Sequence, residues 1–497
     1  MASVNGGRDV QVRVVSRRLV KASDTSIDPH VLHLSNLDLL MQNIRASTFC
    51  IYPKPSTGVV GFDFDAVVHA FDSGLPSFLN HFFPFAGRIA TNPSSGIPEV
   101  HCHNQGAELV VGHAAGVALA SLDYGTLGAA VRCVHLPYGD DVALSVHVVS
   151  FACGGFTVAW CTHHVLLDGK SLSSLVSAWS QLARSGTLAA GSLPCHDRAA
   201  VFRPRSPPTY SASLDDAFTP LDGKFQVNAL TANHSFVERL YCIDASGLER
   251  LRAAASRDRG ATRVQALSAY LWKALAGVVG EADTHCRMGW RVDGRSRIVS
   301  GDPERRAVVR SYVGNLTTYV VGEESVQEVM RMPLADVAAM VREAIDAPAY
   351  EERFQEVVDW VEEHKNQRYV EKAILGLWSP ILSVTALASF RNDTDFGFGH
   401  AAMAVPTATA TARLCSGYVQ VFSGPGDDGT WFVNALVWPQ LAAALEADEP
   451  RVLRAVTAAE CLGLSSASQQ QQCVSASSDK NKDGGTAPAR CAGIRQR

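Results

Sequence analysis

The sequence predicts an α/β chain of two domains, and three features carry that reading. Strand-like and helix-like stretches alternate from about Val10 to Leu193 and again from about Asn233 to Leu464. Between them, from Pro194 to Ala232, regular patterning fades. There Arg203-Pro204-Arg205-Ser206-Pro207-Pro208-Thr209 cannot join a regular element, because proline fixes φ and lacks an N–H donor. Finally, 497 residues is long for one compact core. The plan is a first domain over 10–193, a linker over 194–232, a second domain over 233–464 and a tail over 465–497. The tail holds a Gln469–Gln472 run among Ser, Lys, Asp and Gly. It has too little apolar area to offset ordering entropy and is expected to be disordered.

Individual elements follow in order. Val142 to Phe151 alternates apolar with small or polar residues and reads as a strand. Cys153-Gly154-Gly155 is a turn, and Phe156 to Val165 is a second strand that pairs back as a hairpin. After Asp168-Gly169, the residues Leu172, Leu175, Val176, Trp179 and Leu182 recur at helical steps, and Gly186 suits the stop. In the second half Val264, Leu267, Leu271 and Leu275 form another apolar helical stripe. Gly417 to Phe422 and Trp431 to Trp438 read as paired strands around Pro425-Gly426-Asp427-Asp428-Gly429.

Composition narrows the function. A net charge of −5 argues against broad nucleic-acid or anionic-membrane binding. No apolar run is long enough to span a bilayer, and the first residues lack the apolar stretch of a signal peptide, so a cytoplasmic protein is expected. Twelve scattered cysteines without a C-x-x-C fit free thiols better than a disulfide frame or a zinc site. Neither G-x-x-x-x-G-K-[ST] nor G-x-S-x-G occurs, which speaks against nucleotide hydrolysis and serine-hydrolase chemistry.

The stretch with chemical content is His163-His164-Val165-Leu166-Leu167-Asp168-Gly169. His164 falls at the end of a strand, with Thr162 and Trp160 on its face, where a rigid element can present a reactive group to a substrate. An imidazole takes a proton readily near neutral pH, its ordinary pKa being about 6.5. His163 faces the other side and is expected to pack. Asp168-Gly169 turns the chain into the next helix, with Asp168 as a structural anchor.

These residues resemble the HxxxD signature of the BAHD acyltransferases. Asp395-Phe396-Gly397-Phe398-Gly399 resembles that family's DFGWG motif, with Phe398 where Trp is usual. Further landmarks follow in register: Leu34-Ser35-Asn36-Leu37-Asp38, Phe83-Pro84-Phe85-Ala86-Gly87-Arg88, Gln265 to Trp272, Val292-Asp293-Gly294-Arg295-Ser296-Arg297 and Tyr312-Val313-Gly314-Asn315. The linker and tail are not covered. The resemblance implies two similar chloramphenicol-acetyltransferase-like domains, mixed sheets flanked by helices, with a channel between them. It implies acyl transfer from acyl-CoA, as co-substrate rather than cofactor, to an alcohol or amine in plant specialised metabolism. A hydroxycinnamoyl or other aromatic donor is favoured, and the protein is expected to act as a monomer. It makes His164 the general base and pairs Asp168 with an arginine, for which Arg295 is the candidate. Asp395, which heads the second motif, counts among the expected catalytic residues, although it and Gly397 and Gly399 are expected to shape the second domain near the CoA channel. Gly169, Arg295, Phe396 and Phe398 complete the motif set.

One departure bears on the acceptor. Members that take shikimate or quinate carry an arginine, bound to the acceptor carboxylate, at the position of Ala388. Its absence points away from a carboxylate acceptor, with Arg391 the nearest alternative cation. Other features read as ordinary surface or core: the His101-Cys102-His103 cluster has no further ligands at metal spacing, and Arg305, Arg306 and Arg310 fall in or near an expected loop. Two rival readings stand. A condensation domain of a peptide synthetase shares HHxxxDG but takes a carrier-bound thioester. A non-catalytic BAHD-like partner protein commonly loses the second motif, which this chain keeps.

Overall fold

The computed structural model describes residues 12–462 apart from 42–43, 55–62, 127–133, 135, 221–227, 233–234, 258, 299–300, 391–392, 409–415, 425–427, 449–450 and 459–461. The expected tail, Arg391 and part of the 425–429 turn lie outside the described residues.

Two mixed sheets, each backed by helices, build the molecule. The first has six strands in the order Arg13–Val20, Ala107–Ala114, Leu144–Phe151, Phe156–His163, Arg45–Tyr52, Met403–Ala408. Leu144–Phe151 and Phe156–His163 form the expected antiparallel hairpin, with Val148 opposite Val158. Helices Phe64–His81 and Gly169–Ser185 cover one face, where Phe71 stacks on Trp179 with ring centroids 4.7 Å apart. The second helix stops at Gly186, whose φ of 73° is left-handed and costs glycine little.

The second sheet has seven strands in the order Thr317–Ser325, His285–Asp293, Ile381–Ala386, Gly417–Ser423, Trp431–Val437, Val237–Ile243, Arg454–Ala455. Helix Arg263–Val279 backs it. A Thr262–Gln265 capping box starts that helix, and its Ser268 accepts from the Trp290 indole at 2.9 Å. Among the described residues no helix is long and apolar enough to cross a membrane.

Three sequence expectations need correction. The histidine strand ends at His163, two residues early, so His164 sits in the turn beyond it. Its backbone N–H bonds to the Ile44 carbonyl at 2.8 Å. Arg305, Arg306 and Arg310 lie on a helix, Pro303–Ser311, because Asp302 caps it and Pro303 suits its first turn. The 194–232 stretch is not featureless: it carries helix Ser213–Ala217 and strand Phe218–Pro220, the latter paired with Tyr369–Glu371. Asp359, fully buried, accepts the Arg205 backbone N–H at 2.7 Å and that of Thr209 at 3.1 Å, which ties this segment down.

The halves are joined by more than the linker. Strand Met403–Ala408, from the second half of the chain, completes the first sheet by pairing antiparallel with Arg45–Tyr52.

Candidate active site

A cavity of about 840 Å³ lies between the two sheets. The first half lines it with Ser47, His164 and Lys170, among others, and the second with Arg291, Tyr319 and Thr385. His164 is half-buried on its wall.

Two side chains from distant parts of the chain, Asp38 and Asn315, fix the imidazole. Ser35 caps a one-turn helix, Asn36–Leu39, and Asp38 closes the capping box. The free oxygen of Asp38, Oδ1, faces the second half. There it accepts from the Asn315 backbone N–H and from Asn315 Nδ2, both at 2.9 Å. Asn315 Nδ2 also donates to the His164 carbonyl at 2.7 Å. With both Nδ2 bonds going to acceptors, the amide orientation is set, and Asn315 Oδ1 faces His164 Nδ1 at 3.1 Å. An amide oxygen only accepts, so Nδ1 carries the proton and the lone pair resides on Nε2. Burial is the largest influence on His164 and pushes its pKa below the ordinary value; Arg291 pushes the same way, against its own carbonyl, Asp168 and Asn315. At neutral pH the uncharged form of the ring is therefore favoured.

Asp168 holds the adjoining turn. Its carboxylate caps helix Gly169–Ser185 through the Ser171 N–H at 2.9 Å and accepts the Leu316 N–H at 2.9 Å. Arg295 reaches it at 2.8 Å, with side-chain exposures of 4% and 1%, so this pair is desolvated on both sides. Arg295 also donates to Asp293, Ser171 and the carbonyls of Tyr312 and Gly314. Burial opposes ionisation of Asp168, yet Arg295 and the two backbone N–H groups outweigh it and hold the carboxyl below its ordinary range. Gly169 lets Leu387 pack close: a Cβ there would meet Leu387 Cδ2 at 2.9 Å and that side chain would have to move. Arg198, from the linker, is buried between the halves, 3.6 Å from Asp38 and bonded to the Leu166 carbonyl at 2.8 Å.

Asp395 stands elsewhere. It does not line the cavity, and its Oδ1 accepts the N–H groups of Gly397 at 2.9 Å and Gly399 at 3.0 Å. Both glycines have positive φ, 108° and 84°, which the turn requires. Phe396 leaves that turn to enter the aromatic core of the first sheet, 5.5 Å from Tyr52 and 5.3 Å from Phe71; Phe398 packs on it at 5.2 Å. The expectation that this loop shapes the second domain is thus corrected: it docks on the first. His163 packs edge-on to Tyr138 in the interior, as its strand position suggested. Asp38, Asn315 and Arg198 were not singled out from the sequence. Asp38 and Asn315 lay within family-like segments, the only signal available, while Arg198 had none.

Among known proteins, a model described as the Transferase family matches residues 10–446. The chain belongs to this family, the BAHD acyltransferases. The enzyme is 25% identical over 394 residues to omega-hydroxypalmitate O-feruloyl transferase of Arabidopsis thaliana, covering 76% of this chain and 80% of that one. It is 26% identical over 408 residues to a hydroxycinnamoyl-CoA:5-hydroxyanthranilate N-hydroxycinnamoyltransferase of Avena sativa, covering 76% and 87%. Crystalline vinorine synthase shares the fold with a TM-score of 0.63 at 20% identity, over 87% of this chain and 96% of that one. The enzyme is accordingly an O- or N-acyltransferase with two chloramphenicol-acetyltransferase-like domains.

Proposed function

We propose that the enzyme transfers an acyl group, with aromatic acyls such as hydroxycinnamoyl favoured, from acyl-CoA to an alcohol or amine of plant specialised metabolism, and that His164 is its general base. The observation that carries this is the Asp38–Asn315–His164 chain, which commits Nδ1 to donation and leaves the Nε2 lone pair for a substrate proton. Nε2 takes the proton from the acceptor O–H or N–H as the oxygen or nitrogen attacks the thioester carbonyl. The tetrahedral intermediate re-forms its C=O bond and expels CoA thiolate, which leaves with the proton that Nε2 returns. With both substrates in one cavity, no acyl-enzyme is required. Asp168, its carboxylate taken up by Arg295 and by the Ser171 and Leu316 N–H groups, positions the turn rather than moving a proton.

The relatives support the range of acceptors, since one is named for an O-transfer and the other for an N-transfer from a CoA thioester. The test is to incubate purified protein with a panel of acyl-CoAs and of alcohols and amines, following free CoA thiol. Acceptor-dependent thiol release is expected. No release with any donor would favour the non-catalytic partner reading.

A further inference from the structure

The sequence lacks the acceptor-binding arginine at Ala388, but the cavity supplies a cation from another strand. Along His285–Asp293, the residues Met288, Trp290 and Val292 are buried in the second core, while Arg287, Arg291 and Asp293 are less buried, as strand alternation requires. Arg291 lines the cavity close enough to His164 to act on its ionisation. Residues directly opposite one another in a sheet share a face. Arg291 is opposite Tyr319 on one side and Thr385 on the other, and Thr385 is opposite Gln420. All four line the cavity, so its floor carries a row of one cation and three uncharged hydrogen-bonding groups.

Across the cavity Lys170 lies over the Phe390 ring at 5.5 Å, and the other arginines of the lining are paired. Arg353 pairs with Glu371 at 3.1 Å and Arg297 with Asp346 at 2.9 Å. Among the described residues no carboxylate lies within ion-pair distance of Arg291; Glu371, on the same cavity, feels its charge but is held by Arg353. The Tyr319 ring supports its guanidinium carbon at 5.5 Å from the centroid, and that ring has room only because residue 289 is glycine, where a Cβ would fall within it. A guanidinium held against a ring face makes no hydrogen bond to it, so its N–H fork remains available to a carboxylate.

Resting on the acyl-transfer reading, we propose that one of the two reactants carries a carboxylate, and that Arg291, helped by Thr385 and Gln420, is the residue that selects it. The carboxylate belongs either to the acyl group of the donor or to the acceptor, and two arms of one experiment separate these sources. The donor arm compares malonyl-CoA with acetyl-CoA. The acceptor arm compares tyrosine with tyramine, which differ by one carboxylate. Each arm is run on the full-length wild type, Arg291→Gln and Arg291→Lys, by kcat/KM and by calorimetric binding.

In one arm the wild type is expected to favour the acid, and Arg291→Gln to lower the acid-to-neutral ratio about 10- to 100-fold, the effect of one charge-assisted bond. Arg291→Lys should recover part of it. A ratio unchanged by Arg291→Gln in both arms overturns the inference, as does an equal loss of affinity for CoA itself, which would make Arg291 a phosphate ligand. Arg291-dependent binding of the acid without any transfer would keep the carboxylate site and sink the acyl-transfer reading. Transfer without an Arg291-dependent preference would do the reverse.

Discussion

Replacing Asn315 by leucine, which has nearly its shape, separates the tautomer argument from simple packing. The change removes the acceptor 3.1 Å from His164 Nδ1 and the donor bonds to Asp38 and to the His164 carbonyl, at 2.9 and 2.7 Å. In the resting enzyme the Nδ1 bond is neutral and contributes about 1 kcal/mol net. When His164 holds the acceptor proton the same bond becomes charge-assisted, about 1.5–3 kcal/mol. The difference, together with free exchange to the wrong tautomer, lowers kcat about 10- to 100-fold with a smaller change in KM. Asn315 also raises the His164 pKa, so its loss moves the acid limb of the kcat/KM profile to lower pH. Stability falls as well, by about 2–4 kcal/mol, because Asp38 loses a donor inside the protein. The assay is steady-state thiol release from pH 5 to 9, with a denaturation curve confirming that the variant is folded at the assay temperature. A kcat within twofold of wild type, or an acid limb moved to higher pH, refutes the relay.

Three more outcomes follow from the same geometry. Arg295→Met leaves Asp168 buried and unpaired and should cost about 3–5 kcal/mol in chemical denaturation. Arg297→Met, whose Asp346 partner is 42% exposed, should cost under about 1 kcal/mol; equal losses would show that burial does not set the difference. Phe396→Ala should cost about 3–5 kcal/mol by emptying its place beside Tyr52 and Phe71, and a loss below about 1 kcal/mol would mean that the Asp395 loop is not docked there. Burial, then Arg45, pushes the His163 pKa down to about 4. Since the unfolded ring binds its proton near 6.5, its contribution is intact above that pH and is lost as pH falls from 6.5 towards 4. Near pH 5 the loss is about 2 kcal/mol. His163→Phe should flatten the pH dependence of unfolding in that window, and an unchanged slope would contradict the assignment.

Periodicity reads only what is local, and the one distant pair expected beforehand, Asp168 with Arg295, came from the family resemblance. Alternation marked the hairpin of Leu144–Phe151 and Phe156–His163, and helical steps with a glycine stop marked Gly169–Ser185. These depend on neighbours within a few residues. Asp38 and Asn315, 277 positions apart, meet only after both sheets form, and nothing in either segment announces the contact. Met403–Ala408 is six residues long and contains a proline, so its pattern was too weak to read, and its partner belongs to the other half of the chain. Arg198 sat in a stretch taken as linker because proline-rich segments carry no periodicity, yet it is buried against Asp38. Arg291 shows the same limit from the other side: which face of a strand becomes a cavity floor is decided by the sheet across from it.

The measurement that bears most directly on the central claim is the turnover of His164→Ala with an identified donor and acceptor. Loss of the general base predicts a kcat lower by about 10²- to 10⁴-fold, with substrate binding and folding retained. Turnover equal to wild type would contradict the account, because no other group has been given the acceptor's proton.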